Sequence, residues 1–172
     1  MSKTFYHLSK SDKVYINAAI HGKISNNIDS KLFGNEFSDY GINVLNTPIL
    51  PLSIEASVRN FREFLLEWVR QREFPDLPSR LSCYFCVKEF EDLKLWSNKL
   101  ISRPIINIIE SDVYFEADSK LLDVHDNDFS LQVAAFRKYW SGNVTDDPIL
   151  EALIPFPITI TNSISSSLIL ND

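Results

Sequence analysis

The sequence predicts an α+β fold, and three observations carry that prediction. Ile54, Val58, Phe61, Leu65 and Val69 recur at helical spacing, as do Phe129, Val133, Phe136 and Trp140. The stretch DVYFEAD alternates polar and apolar residues as a strand does. The stretches RPIINIIES and ITITNSI are rich in β-branched residues. Strands dominate, with helices inserted between them, which indicates α+β.

A chain of 172 residues fits one domain, 1–172, with a core of its own. Its net charge of -6 disfavours broad, salt-driven binding to nucleic acid. No apolar run approaches the ~20 residues that span a bilayer, and residues 1–20 lack the long apolar centre of a signal peptide. A cytoplasmic protein with no membrane partner is the expectation.

Taken in order, TFYHLS (4–9) reads as the first strand, and VYINAAI (14–20) as a second short strand or a turn of helix. Residues 21–47 are polar and long for a connection, which suggests a functional flap. The apolar stripe predicts a helix over 54–72, with Ser53 as N-cap and Glu55 in the first turn. Arg59, Arg62, Glu63, Glu67 and Arg70 then form a solvated outer face. The prolines of FPDLPSRL end that helix.

SCYFCV (82–87) reads as a strand. Residues three apart on a strand point to opposite faces, so Cys83 and Cys86 neither bridge nor share a metal. A second helix is expected over 88–100, acidic at its start and basic at its end. In DVYFEAD, Asp112, Tyr114, Glu116 and Asp118 share one face, most simply an exposed acidic one. A third helix covers about 129–140. EALIPFPITITNSI closes the chain as one strand or two, at an edge or broken by Pro155 and Pro157.

Three of these stretches, in order, resemble the ADP-ribosyltransferases of the diphtheria-toxin and poly(ADP-ribose)-polymerase type. Tyr6-His7-Leu8-Ser9 resembles the family's first strand, in which His follows an aromatic. Tyr84-Phe85 in SCYFCV, with a helix at once behind it, resembles the central Tyr-Phe strand. Glu151, heading the apolar run ALIPFPITI, resembles the late-strand Glu. The chain departs from the family at Leu8, where Gly is frequent, at Ser82-Cys83, which lack a Gly, and in the long flap.

The resemblance implies a split β-sheet core and an NAD-dependent mono-ADP-ribosyltransferase. Breaking the nicotinamide–ribose bond leaves an oxocarbenium-like ribose, which a carboxylate stabilises. Glu151 takes that part. Tyr84 would stack on the nicotinamide, while the Leu8 backbone and Ser9 read its amide and His7 holds the adenosine ribose. A macromolecular acceptor, protein or nucleic acid, is implied, and a neutralising partner if the protein is a toxin or defence effector.

Arg80 has two readings from the residues themselves: forked donors for a pyrophosphate, or a surface ion pair with Glu73 or Asp76. Two other function classes stay open. Glu110, Asp112, Glu116 and Asp118 are the material for a metal-dependent carboxylate hydrolase or nuclease. A binding or immunity module on the same fold needs no chemistry at all.

Overall fold

The computed structural model describes residues 2–10, 16–25, 33, 35–46, 54–100, 104–123 and 128–168. Among these the chain is mixed α and β, with two antiparallel sheets. Strands β1 (Lys3–Ser9), β4 (Ile105–Ser111), β7 (Ile158–Ser165) and β2 (Ala19–Ile20) form a sheet in the order β1-β4-β7-β2. Strands β3 (Cys83–Cys86), β6 (Leu150–Pro155) and β5 (Phe115–Asp118) form the other, in the order β3-β6-β5. The helices are α1 (Asp39–Asn46), α2 (Ile54–Glu73), α3 (Asp92–Lys99) and α4 (Phe129–Trp140).

One backbone pair joins β1 to β3. Tyr6 and Val87 exchange two hydrogen bonds of 2.8 Å, and the pairing is an isolated bridge. Leu8 and Ser9 on one side and Cys83 and Tyr84 on the other have no such ladder among the described residues, and a cleft opens there.

The apolar residues divide around these sheets. Leu65, Leu66, Val69, Val133, Phe136, Tyr139 and Trp140 bury the helices α2 and α4 against Cys83 and Leu153 of the three-stranded sheet. Phe5, Cys86, Ile109, Ala152, Ile154, Ile158 and Ile160 fill the space between the sheets. Each such side chain, fully buried, stabilises the fold by about 1.5–3 kcal/mol. The two cysteines are free and buried in different clusters, as their strand spacing requires.

Helix α2 matches its expected span but turns a different face inward. Leu65 and Val69 are buried, yet Val58 and Phe61 stand 63% and 56% exposed. Glu63, Glu67 and Arg70, expected outside, are buried. Paired charges explain this. Glu67 accepts from Arg70 Nε (2.9 Å), Arg70 Nη2 (2.7 Å) and Ser79 Oγ (2.9 Å), and Arg70 also donates to the Leu77 carbonyl (2.7 Å). Buried charges persist where each has partners of this kind. The expected cap, Ser53, lies outside the described residues.

Other elements are shorter than their sequence signals. Of the expected helix 88–100, α3 keeps Asp92–Lys99, and of DVYFEAD, β5 keeps Phe115–Asp118. The acidic face is solvated only in part: Asp112 is exposed and Glu116 half-buried, but Asp118 is not. Asp118 is fully buried and accepts from the backbone nitrogens of Lys120, Thr145 and Ile149 and from Thr145 Oγ1 at 2.6–3.0 Å. It ties the loop 141–148 to the end of β5. Strands β6 and β7 are internal to their sheets rather than edges. Pro155 ends β6 and Pro157 lies in the turn, so neither removes a hydrogen bond from mid-ladder.

Part of the polar stretch 21–47 is helical. Helix α1 starts with Ser38 Oγ accepting from Gly41 N (3.0 Å), and Ser38 N donates to the Leu81 carbonyl (3.1 Å). A Cβ on Gly41 would stand 1.9 Å from that carbonyl oxygen. Gly41→Ala is therefore expected to destabilise the protein by about 1–3 kcal/mol in urea unfolding, the usual cost of overpacking. No change in the midpoint would mean that α1 does not dock on residues 80–82.

No helix among the described residues is long and apolar enough to cross a membrane.

Candidate active site

The cleft between β1 and β3 has a volume of about 1000 Å³. His7, Leu8, Ser9, Arg80, Tyr84 and Glu151 all line it. They arrive from three strands and from the 3-10 turn Arg80–Ser82. That turn is capped by Ser79, whose hydroxyl accepts from Leu81 N, and it delivers Arg80 to the inner end of the cleft.

His7 and Tyr84 are in direct contact. Their ring centroids are 3.9 Å apart at 35°. His7 Nδ1 is 2.6 Å from the Phe85 carbonyl oxygen, which makes Nδ1 the donor. The Tyr84 hydroxyl accepts from Asn107 Nδ2 at 3.3 Å, and Asn107 sits opposite His7 in the β1–β4 register. One face of the Tyr84 ring is thus taken by His7, and its hydroxyl by Asn107. Burial pushes the phenol far above its ordinary range.

Glu151 stands on the other face of the three-stranded sheet. Phe85 pairs with Leu153 and Tyr84 with Ile154. Alternation along β6 therefore puts Glu151 with Phe85, and Tyr84 with Ala152 and Ile154. On the Glu151 side the cleft-lining rings include Phe85 and Tyr40, edge to face at 5.8 Å.

The Glu151 carboxylate, 3% exposed, is held through one oxygen. Oε1 accepts from Arg80 Nη1 and from the Tyr139 hydroxyl (2.7 Å). Oε2 receives no bond among the described residues. Arg80 also donates from Nε to Glu63 (3.1 Å) and from Nη1 to Tyr139 (2.8 Å), and its guanidinium lies 4.9 Å over Phe85. Arg80 is thus a buried group between two carboxylates, and neither Glu73 nor Asp76 is its partner. Glu73 instead pairs with Arg137. Burial disfavours the Arg80 charge, but Glu151, Tyr139 and Glu63 more than offset that and keep it a cation.

Sequence reasoning missed Glu63, Tyr139 and Tyr40. Glu63 looked like an outer-face residue of α2, and Tyr139 lay outside the α4 stripe. Tyr40, whose hydroxyl is pushed up to about 12 by burial and by Glu63, lay in the polar flap. A charged residue flanked by Leu65, Leu66 and Val69 was the one available signal for Glu63.

Two buried carboxylates set the acid limit of the fold. Burial would raise Glu63, but Arg80 and Arg62 hold it below its ordinary value. Burial would likewise raise Asp118, but its hydrogen bonds from Thr145, Lys120 and Ile149 hold it low. Groups depressed on folding stabilise the native state above their unfolded pKa, near 4. That contribution fades as pH falls through the folded value. The urea midpoint is expected to hold from pH 7 to about 5 and to fall below about 4, less steeply in Asp118→Asn. A midpoint unchanged down to pH 3 would contradict this.

Among the described residues no group of three or more His, Cys, Asp or Glu side chains is placed to hold a metal ion. Glu110, Asp112, Glu116 and Asp118 do not converge into one.

Residues 5–166 match the model of a family described as protein of unknown function, DUF2441. The chain belongs to this family. The DUF2441 match runs from Phe5 to Ser166 and so takes in His7, Arg80, Tyr84 and Glu151, that is, the whole of the site just described. No curated protein matches the chain.

Proposed function

We propose that this DUF2441 protein binds NAD in the cleft between β1 and β3 and transfers its ADP-ribose to a macromolecular acceptor. The observation that carries this reading is the delivery of His7, Arg80 and Glu151 by separate elements to one cleft of about 1000 Å³. The cleft opens where two sheets splay apart, which suits the split β-sheet core of the ADP-ribosyltransferases. Phe85 and Tyr40 offer the nicotinamide an aromatic wall on the Glu151 side, a part the sequence had suggested for Tyr84. Tyr84 then orients His7 against the adenosine ribose.

In this reading the nicotinamide leaves with the electrons of the C–N bond. Glu151 Oε2 faces the cationic ribose, and the acceptor nucleophile adds to the anomeric carbon and loses its proton. Arg80 and Tyr139 fix the carboxylate through Oε1. The reading is tested by incubating the protein with labelled NAD and a cell lysate, then digesting with protease or nuclease. Label on an acceptor, absent with Glu151→Gln, is the expected result. The digestion that removes the label names the acceptor class.

One observation favours a second reading, a non-catalytic nucleotide-binding module. Tyr84 and Glu151 occupy opposite faces of the sheet, and Glu151 is already paired with Arg80. NAD that binds but is neither cleaved nor transferred by the wild type would decide for this reading.

A further inference from the structure

The cleft is rich in cations for a chain of net charge -6. Lys10, Lys23, Arg59, Arg62, Arg80 and Lys99 all line it. Most are already matched. Arg80 is held by Glu151 and Glu63, Lys23 by Asp39 at 2.6 Å, and Lys99 faces Asp123 at 3.8 Å. The two arginines that α2 contributes to the cleft differ. Arg59 is exposed and has no carboxylate partner among the described residues. Arg62 donates from Nη2 to Glu63 at 3.1 Å, while its Nε is buried with no hydrogen-bond partner among the described residues.

Arg59 and Arg62 are three residues apart on one helix, so their side chains are neighbours on its surface. A buried N–H without a partner is costly unless something supplies an acceptor. Two planar guanidinium groups side by side match a diphosphate, whose oxygens accept in pairs. The Glu63–Arg80 ion pair ties α2 to the 3-10 turn beside the cleft that both arginines line.

We infer that Arg59 and Arg62 form the subsite for the diphosphate of a nucleotide ligand. The inference rests on the NAD reading for the rest of the ligand, but the subsite itself requires only a nucleoside diphosphate. Arg80, whose Nε and Nη1 are engaged by protein acceptors, is not this subsite and acts on Glu151 instead.

Calorimetric titration with ADP, adenosine and NAD tests it. ADP is expected to bind the wild type at least tenfold more tightly than adenosine. In Arg59→Gln/Arg62→Gln that preference should vanish, with adenosine binding unchanged. Lys138→Gln, a charge removed from the exposed side of α4, should leave the preference intact. Arg59→Gln alone, at an exposed position, should lower ADP affinity about tenfold, so the test survives if the double variant fails to fold. ADP bound no better than adenosine by the wild type, or a preference that persists in the variants, would overturn the inference. Transfer from NAD with an unchanged KM in the double variant would overturn the subsite and leave the transferase standing. Arginine-dependent ADP binding without any cleavage of NAD would do the reverse.

Discussion

Glu151→Gln is expected to lower ADP-ribosyl transfer by a factor of about 10²–10³ or more while NAD still binds. The substitution keeps the shape of the side chain and an oxygen for Arg80 and Tyr139. It removes the negative charge that faces the ribose when the nicotinamide departs. A group that acts on charge developing in the transition state affects turnover more than ground-state binding. The readout is the rate of nicotinamide release beside NAD affinity, wild type against variant. The fold should survive, because Arg80 keeps Glu63 as a counter-charge. Equal rates in the two proteins would remove Glu151 from the chemistry. Loss of NAD binding together with loss of the native fold would mean that the carboxylate is structural.

The largest effect on stability is expected from Arg80→Met. The substitution keeps the length of the aliphatic stem and removes the one cation that touches both Glu63 and Glu151. Both carboxylates are buried, at 1% and 3% exposure. Arg62 remains for Glu63, and Tyr139 remains for Glu151. Neither replaces a buried guanidinium. Stranding buried charge costs about 3–5 kcal/mol, against the ~5–15 kcal/mol by which a domain is stable. Urea unfolding at pH 7 measures it. The triple variant Arg80→Met/Glu63→Gln/Glu151→Gln should recover much of the loss, since it removes the charges together with their partner. A single variant as stable as the wild type would show that water reaches these groups.

The fold was legible where side-chain periodicity coincides with burial. The β1 stretch TFYHLS, the β3 stretch SCYFCV and helix α4 lie where their patterns put them, because each buries an apolar face against a neighbour. Helix α2 misled, because its inner face carries Glu63, Glu67 and Arg70. Glu67 and Arg70 pair within the helix, but Ser79 and Arg80, which complete the burial of Glu67 and Glu63, lie beyond it in sequence, and no local pattern announces those pairings. Asp118 misled for a related reason: an aspartate that caps a loop from beneath has the same letters as one in water. For the site, His7, Arg80, Tyr84 and Glu151 were all legible as residues of one cleft. Which side of β3 each occupies was not, since that depends on the register between β3 and β6. A shift of one residue there would have placed Glu151 with Tyr84 instead of with Phe85.

The lone Tyr6–Val87 bridge has a consequence for how such proteins can diversify. Among the described residues the two sheets share one backbone pair, so the lips of the opening carry no further backbone hydrogen bonds from sheet to sheet. A substitution at Lys10, one residue past the last β1–β4 pair Ser9–Ile105, therefore breaks no ladder pair. The mouth of the cleft can thus change without touching the inner network of Arg80, Glu63 and Glu151.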